Sequence, residues 1–166
     1  MTTYKIPIEI FELFEMNTDG SPISIKEMMS DKMESAFSID TGCHLFIKAT
    51  LGTRKTVDLI VDTGASKSIF DFNLAAKYIE HIKLDDEIFS SGVNAAMDLQ
   101  MGVLKRCKLG DLVIENYAVG LTDLSHINTI YGQLGGKLIW GMIGGDFLNM
   151  FKAQIDYGKK VLVLKK

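Results

Sequence analysis

The chain has 166 residues, 47% hydrophobic and 23% charged, with a formal net charge of −3. This length and apolar content suit one globular domain, residues 1–166, and exclude a disordered chain. With 18 basic against 21 acidic residues and no basic stripe, nucleic acid is not an expected partner. No stretch approaches membrane-spanning length, and residues 1–15 lack a basic segment followed by a long apolar run. The expectation is a cytoplasmic protein without leader or membrane partner. The two cysteines, Cys43 and Cys107, are expected to be reduced thiols.

Tyr4-Lys5-Ile6-Pro7-Ile8-Glu9-Ile10 alternates with period two and predicts a strand. Pro7 cannot donate to a ladder, so an edge position is expected. The cluster 17–22 is a turn. Ser24-Ile25-Lys26-Glu27 has capping-box form and opens a helix over 24–36, with Ile25, Met28, Met29 and Phe37 on one face. Asp40-Thr41-Gly42 is a polar turn leading into a strand at 44–51. Gly52 turns the chain back, and 55–61 returns as a second strand.

That strand ends in the octet Leu59-Ile60-Val61-Asp62-Thr63-Gly64-Ala65-Ser66. A carboxylate at the end of a buried strand is costly unless paired or hydrogen-bonded. Gly64 permits a sharp turn whose backbone N–H can approach that carboxylate. Thr63 adds a hydroxyl able to lock the turn against neighbouring backbone.

Further on, Asp71 is a cap for a helix running to Ile82, with Leu74, Ala75, Tyr78, Ile79 and Ile82 apolar. Residues 87–120 form strand-like pieces broken at Gly92, Gly102 and Gly110. Thr122-Asp123 caps a second helix over 124–134, with Leu124, Ile127, Ile130 and Leu134 inward and Gly135-Gly136 ending it. Leu138 to Leu148 is an apolar strand, a glycine turn and a helix start. Ile155-Asp156-Tyr157 and the strand Val161 to Leu164 follow.

The Asp-Thr-Gly-Ala-Ser turn, Ile143-Gly144-Gly145-Asp146-Phe147-Leu148 and Ile155-Asp156-Tyr157, in this order, resemble the retropepsin-like aspartic peptidase family, in its cellular and bacterial branch. The resemblance covers roughly residues 42–166; 1–41, an N-terminal strand plus insertion, lies outside it. It implies an all-β fold, a small closed acid-protease barrel with two or three added helices. It also implies peptide hydrolysis without metal or other cofactor. Asp62, Thr63 and Gly64 become the catalytic turn, and Ala65 lines the substrate cleft. The stretch 88–97 falls where the family has its flap, which places Ser91, Gly92 and Val93 against substrate.

Two carboxylates a few Å apart cannot both ionise, so they share a proton. The charged member takes a proton from water while the neutral member protonates the carbonyl oxygen. Asp40, only 22 residues before Asp62, is too close in sequence to head a second lobe. The partner carboxylate is therefore expected to be Asp62 of a second chain across a two-fold axis, in a homodimer acting on a peptide or protein. Gly145, Ser66 and Lys67 stand where retroviral subunits carry an arginine and acids that brace this turn. Asp146 is assigned to capping or subunit contacts. His44, His81 and His126 are dispersed, with no metal-ligand spacing. Two alternatives stay open: a peptide-binding or scaffolding module that kept the fold without useful catalysis, and a zymogen-like protein whose residues 1–41 cover the cleft.

Overall fold

The computed structural model describes residues 1–12, 43–82, 100–133 and 137–166. The expected helix over 24–36, the Asp40-Thr41-Gly42 turn and the flap segment with Ser91, Gly92 and Val93 lie outside these residues.

Ten strands are described: β1 Thr3–Glu12, β2 Cys43–Leu51, β3 Lys55–Val61, β4 Ile69–Asp71, β5 Ile79–His81, β6 Gln100–Leu109, β7 Leu112–Thr122, β8 Ile139–Ile143, β9 Gln154–Asp156 and β10 Val161–Lys165. Three short helices accompany them: α1 Phe72–Ala75, α2 Ser125–Gln133 and α3 Gly145–Met150. The strand order is β5-β6-β7-β4-β8-β3-β2-β1-β10-β9, and β6 also pairs with β2. That extra pairing closes β6, β7, β4, β8, β3 and β2 into a six-stranded barrel. The fold is mainly β, as expected.

Alternation decides what fills the barrel. Leu45, Ile47, Ala49 and Leu51 of β2 share the main core with Val57, Leu59 and Val61 of β3. Phe46 and Ile60, one step out of phase, join Ile139, Leu124 and Tyr131 in a second core. Because α2 covers that second face, the centre of β3 is buried on both sides. The unbroken apolar run Leu59-Ile60-Val61 reflects this double burial.

The Asp62 turn is positioned by one feature of the topology. β8 lies between β3 and β4, parallel to the first and antiparallel to the second. The chain leaves β3 at Asp62, passes over the end of β8, and comes back as β4. Asp62 N–H continues the β3–β8 ladder by donating to Ile143 O at 3.0 Å.

Three expectations require correction. First, β1 is not an edge strand. Residues 3–7 pair with β10 and residues 8–12 pair with β2. Pro7 sits at the changeover between the two partners, where a missing donor is tolerated. Second, the helix after Asp71 stops at Ala75. Residues 79–81 form β5 instead, with Ile79 opposite Leu104. A Cβ on Gly102 would stand 2.4 Å from Ile79 Cγ2, so the glycine in β6 makes room for the β5 side chain rather than breaking the strand. Third, Ile130 points outward at 54% exposure, and Tyr131 is buried in its place. The stripe facing the barrel is Leu124, Ile127 and Tyr131, spaced i, i+3, i+7. Tyr131 hydroxyl and His44 Nδ1 form a hydrogen bond that ties α2 to β2.

Candidate active site

Asp62 is half-buried, and Thr63 and Gly64 are exposed beside it. Gly64 N–H donates to Asp62 Oδ1 at 2.9 Å, as the glycine turn predicts. This bond orients one carboxylate oxygen from within the turn. Among the described residues the Thr63 hydroxyl makes no hydrogen bond, so the expected lock does not come from there.

The lock comes from α3. Gly145 N–H donates to Ala65 O at 2.7 Å, and Asp146 N–H donates to Ser66 O at 3.1 Å. In return, Asp146 Oδ1 accepts from both Ser68 N–H and Ser68 Oγ–H at 2.8 Å. It also accepts from its own helix, at Phe147 N–H, again at 2.8 Å. Ser68 Oγ then accepts from Gly144 N–H at 3.0 Å. Ser68 is fully buried, so each of these polar atoms needs its partner. The turn and the first residues of α3 therefore grip each other at both ends, through backbone and through side chains.

Contact this close leaves no room for a side chain at Gly144. A Cβ there would lie 2.6 Å from the Lys67 carbonyl carbon and oxygen, and 2.9 Å from Ala65 O. Gly144 is thus a packing requirement of the turn, whereas a Cβ on Gly145 would meet Ala65 O at an ordinary 3.4 Å.

Asp146 stands inside the first turn of α3, not at its cap, which is Gly144, and accepts from Phe147 N–H there. It is also the brace: where an arginine ion pair was expected to be missing, a carboxylate on buried donors holds the turn within one chain. The half-exposed Lys67 adds a long ion pair, its Nζ 3.7 Å from the buried Asp146 Oδ2. Ala65, the expected cleft residue, is half-buried at the base of the turn, with its carbonyl committed to Gly145. Ser68 went unnoticed in the sequence. The available signal is a hydroxyl residue standing between the exposed turn and the buried Phe70. Among the described residues no group of three or more His, Cys, Asp and Glu side chains gathers as for a metal. No helix among them is long and apolar enough to cross a membrane.

An apolar strand ending in a braced Asp-Thr-Gly turn across a β8-type strand defines a class, and the sequence match agrees. The chain belongs to the aspartyl protease family, whose model matches residues 47–147, from β2 through Asp62 into α3. The retroviral protease-like domain of Ddi1 from Leishmania major is similar at 17% identity, over 73% of this chain and 87% of that one, with a TM-score of 0.46. A retropepsin-like aspartic protease from Rickettsia conorii is similar at 20% identity, over 97% of this chain and 94% of that one, with a TM-score of 0.43. No curated protein matches the chain significantly.

Proposed function

We propose that the chain is one subunit of a homodimeric aspartic endopeptidase, each subunit contributing Asp62. The observation that carries this reading is the Asp62 turn itself: a carboxylate oriented by Gly64 N–H at 2.9 Å, on a rigidly braced turn whose tip faces solvent. An exposed tip permits a second copy to approach, and the brace holds each carboxylate where a shared proton and a water can be positioned. In the reaction, the ionised carboxylate takes a proton from the attacking water. The protonated one gives its proton to the carbonyl oxygen of the scissile bond, forming a gem-diol. As that intermediate collapses, one of its hydroxyls gives its proton to the ionised carboxylate and the amine leaves with the proton held by the other, which restores the singly protonated dyad. Ala65 flanks the cleft in this reading.

The test is peptide hydrolysis by Asp62→Asn and Asp40→Asn, with circular dichroism as the check on folding. An amide cannot accept the water's proton, so Asp62→Asn is expected to abolish turnover with an unchanged spectrum. Asp40→Asn is expected to stay near wild type. Hydrolysis surviving in Asp62→Asn would sink the reading. Peptide binding without cleavage in the wild-type protein would establish the binding-module alternative in its place.

A further inference from the structure

Asp146 has two oxygens, and only one is served. Oδ1 takes three donors, from Ser68 N–H, Ser68 Oγ–H and Phe147 N–H. Oδ2 is buried and has no hydrogen bond among the described residues. A buried carboxylate oxygen left without a donor is costly. The group to supply one is on β7. Tyr117 packs edge-on against Phe147, with centroids 5.6 Å apart at 87°, directly beside Asp146 in the helix. It lines the same small interior cavity as Ser68, Ile143 and Phe147. We propose that Tyr117 is a positioning residue: its phenol donates to Asp146 Oδ2, and so holds Asp146 against Ser68 and the Asp62 turn in its working shape.

The electrostatics of the phenol agree. Tyr117 is held well above the ordinary tyrosine range, first by burial, then by the neighbouring Asp146 carboxylate; the Ser68 hydroxyl opposes this weakly. The other charged or titratable groups facing the pair are Lys67, across from Oδ2, and the Cys107 thiol on the cavity wall. Lys67 is half-exposed at 3.7 Å and gives an orientation-poor contact, so it does not replace a buried phenolic donor. The chain of contacts runs from β7 through α3 to the turn. It joins the barrel wall, whose position is set by the core, to the residue that does the chemistry.

The catalytic part of this proposal rests on the peptidase reading; the structural part does not. The test uses the full chain and two kinds of readout. Tyr117→Phe keeps the ring against Phe147 and removes only the hydroxyl. Amide hydrogen exchange at Ser68 and Gly144 is expected to quicken about tenfold, as for loss of a hydrogen bond to a charged group. Exchange in β2 and β3 is expected to hold. In turnover, kcat is expected to fall about tenfold with KM little changed, because the variant disturbs carboxylate placement rather than peptide contact. Asp146→Asn is the second variant. It removes the charge facing the phenol, so Tyr117, followed by its ring-carbon resonance, is expected to ionise at lower pH than in wild type while staying above ordinary tyrosines. Unchanged Ser68 and Gly144 exchange in Tyr117→Phe, or unchanged Tyr117 ionisation in Asp146→Asn, would overturn the proposal. An inactive wild type whose Ser68 protection still depends on Tyr117 would refute the peptidase reading and leave the positioning contact standing. An active wild type with an unaffected Tyr117→Phe would do the reverse.

Discussion

At the scale of single residues, burial governs chemistry more than residue type does. Asp62 and Asp146 are both aspartates within one compact site. One is half-buried beside the exposed Thr63-Gly64 tip with a single orienting N–H, and the other sits under the turn with three donors on one oxygen. The first is left open for the proton handling proposed for it; the second is occupied as a fastener. Cys107 shows the same rule. The thiol is buried in the apolar core, and burial pushes it up to about 12. Its neutral form is therefore favoured by folding. The stability this contributes is complete below about pH 9 and is lost as pH rises from there toward about 12. Native Cys107 is accordingly expected to react with iodoacetamide at pH 8 at least about tenfold more slowly than in unfolded chain, with labelling mapped by mass spectrometry. Equal rates in native and unfolded protein would contradict the burial of this thiol.

At the scale of elements, Asp71 does more than cap a short helix. Its Oδ1 accepts from Asn73 N–H at 3.0 Å and Leu74 N–H at 2.8 Å, closing the start of α1. Its Oδ2 accepts from Leu124 N–H at 2.9 Å, just before α2. The residue is only 3% exposed, so both sets of donors lose their partner together if it is removed. Asp71→Ala is expected to cost about 2–4 kcal/mol, combining a lost cap with a broken buried charge-assisted bond. Denaturant unfolding measures this, and a change below about 0.5 kcal/mol, the range of ordinary surface substitutions, would show that the bridge carries little. The helix beyond Asp71 is short because β6 offers Ile79 a partner strand and a glycine to pack over. Pairing against Leu104 outweighs a helical pattern that has no apolar surface to face.

At the scale of the whole molecule, the ends of the strand order are short. β5 and β9, the outermost strands, have three residues each, which limits the edge available for unwanted pairing. Both chain ends are paired to each other, with Thr2 N–H on Lys166 O at 2.9 Å and Lys166 N–H on Thr2 O at 3.0 Å. The barrel is closed by the β6–β2 pairing while the tip beside Asp62 remains exposed. If the proposed dimer is the active species, specific activity is expected to fall on dilution through the dimer dissociation constant. The dyad must keep one proton, so activity is expected in the acidic to mildly acidic range and to fall on the alkaline side. Full specific activity in a species that sediments as a monomer would exclude the two-chain site.

Local residue pattern determined much of this protein on its own. The Asp62 turn, the strands around it and the glycine turn after β8 were legible from apolar runs and their punctuation, whereas the closed mainly β barrel followed from the family resemblance those motifs carry. The capping role of Asp71 was legible for the same reason, since a carboxylate before a helix start has few other uses. Tertiary structure decided what depends on a partner distant in sequence. The fate of Ile79 turned on Gly102, and the face of α2 turned on which residue of Ile130 and Tyr131 met Phe46. Pro7 lies in an interior strand because β1 changes partner there. Ser68 carried only a weak signal, its place between the turn and Phe70, and Tyr117 carried none. A hydroxyl or a phenol gains its role only when folding buries it beside a carboxylate, and no spacing along the chain records that meeting.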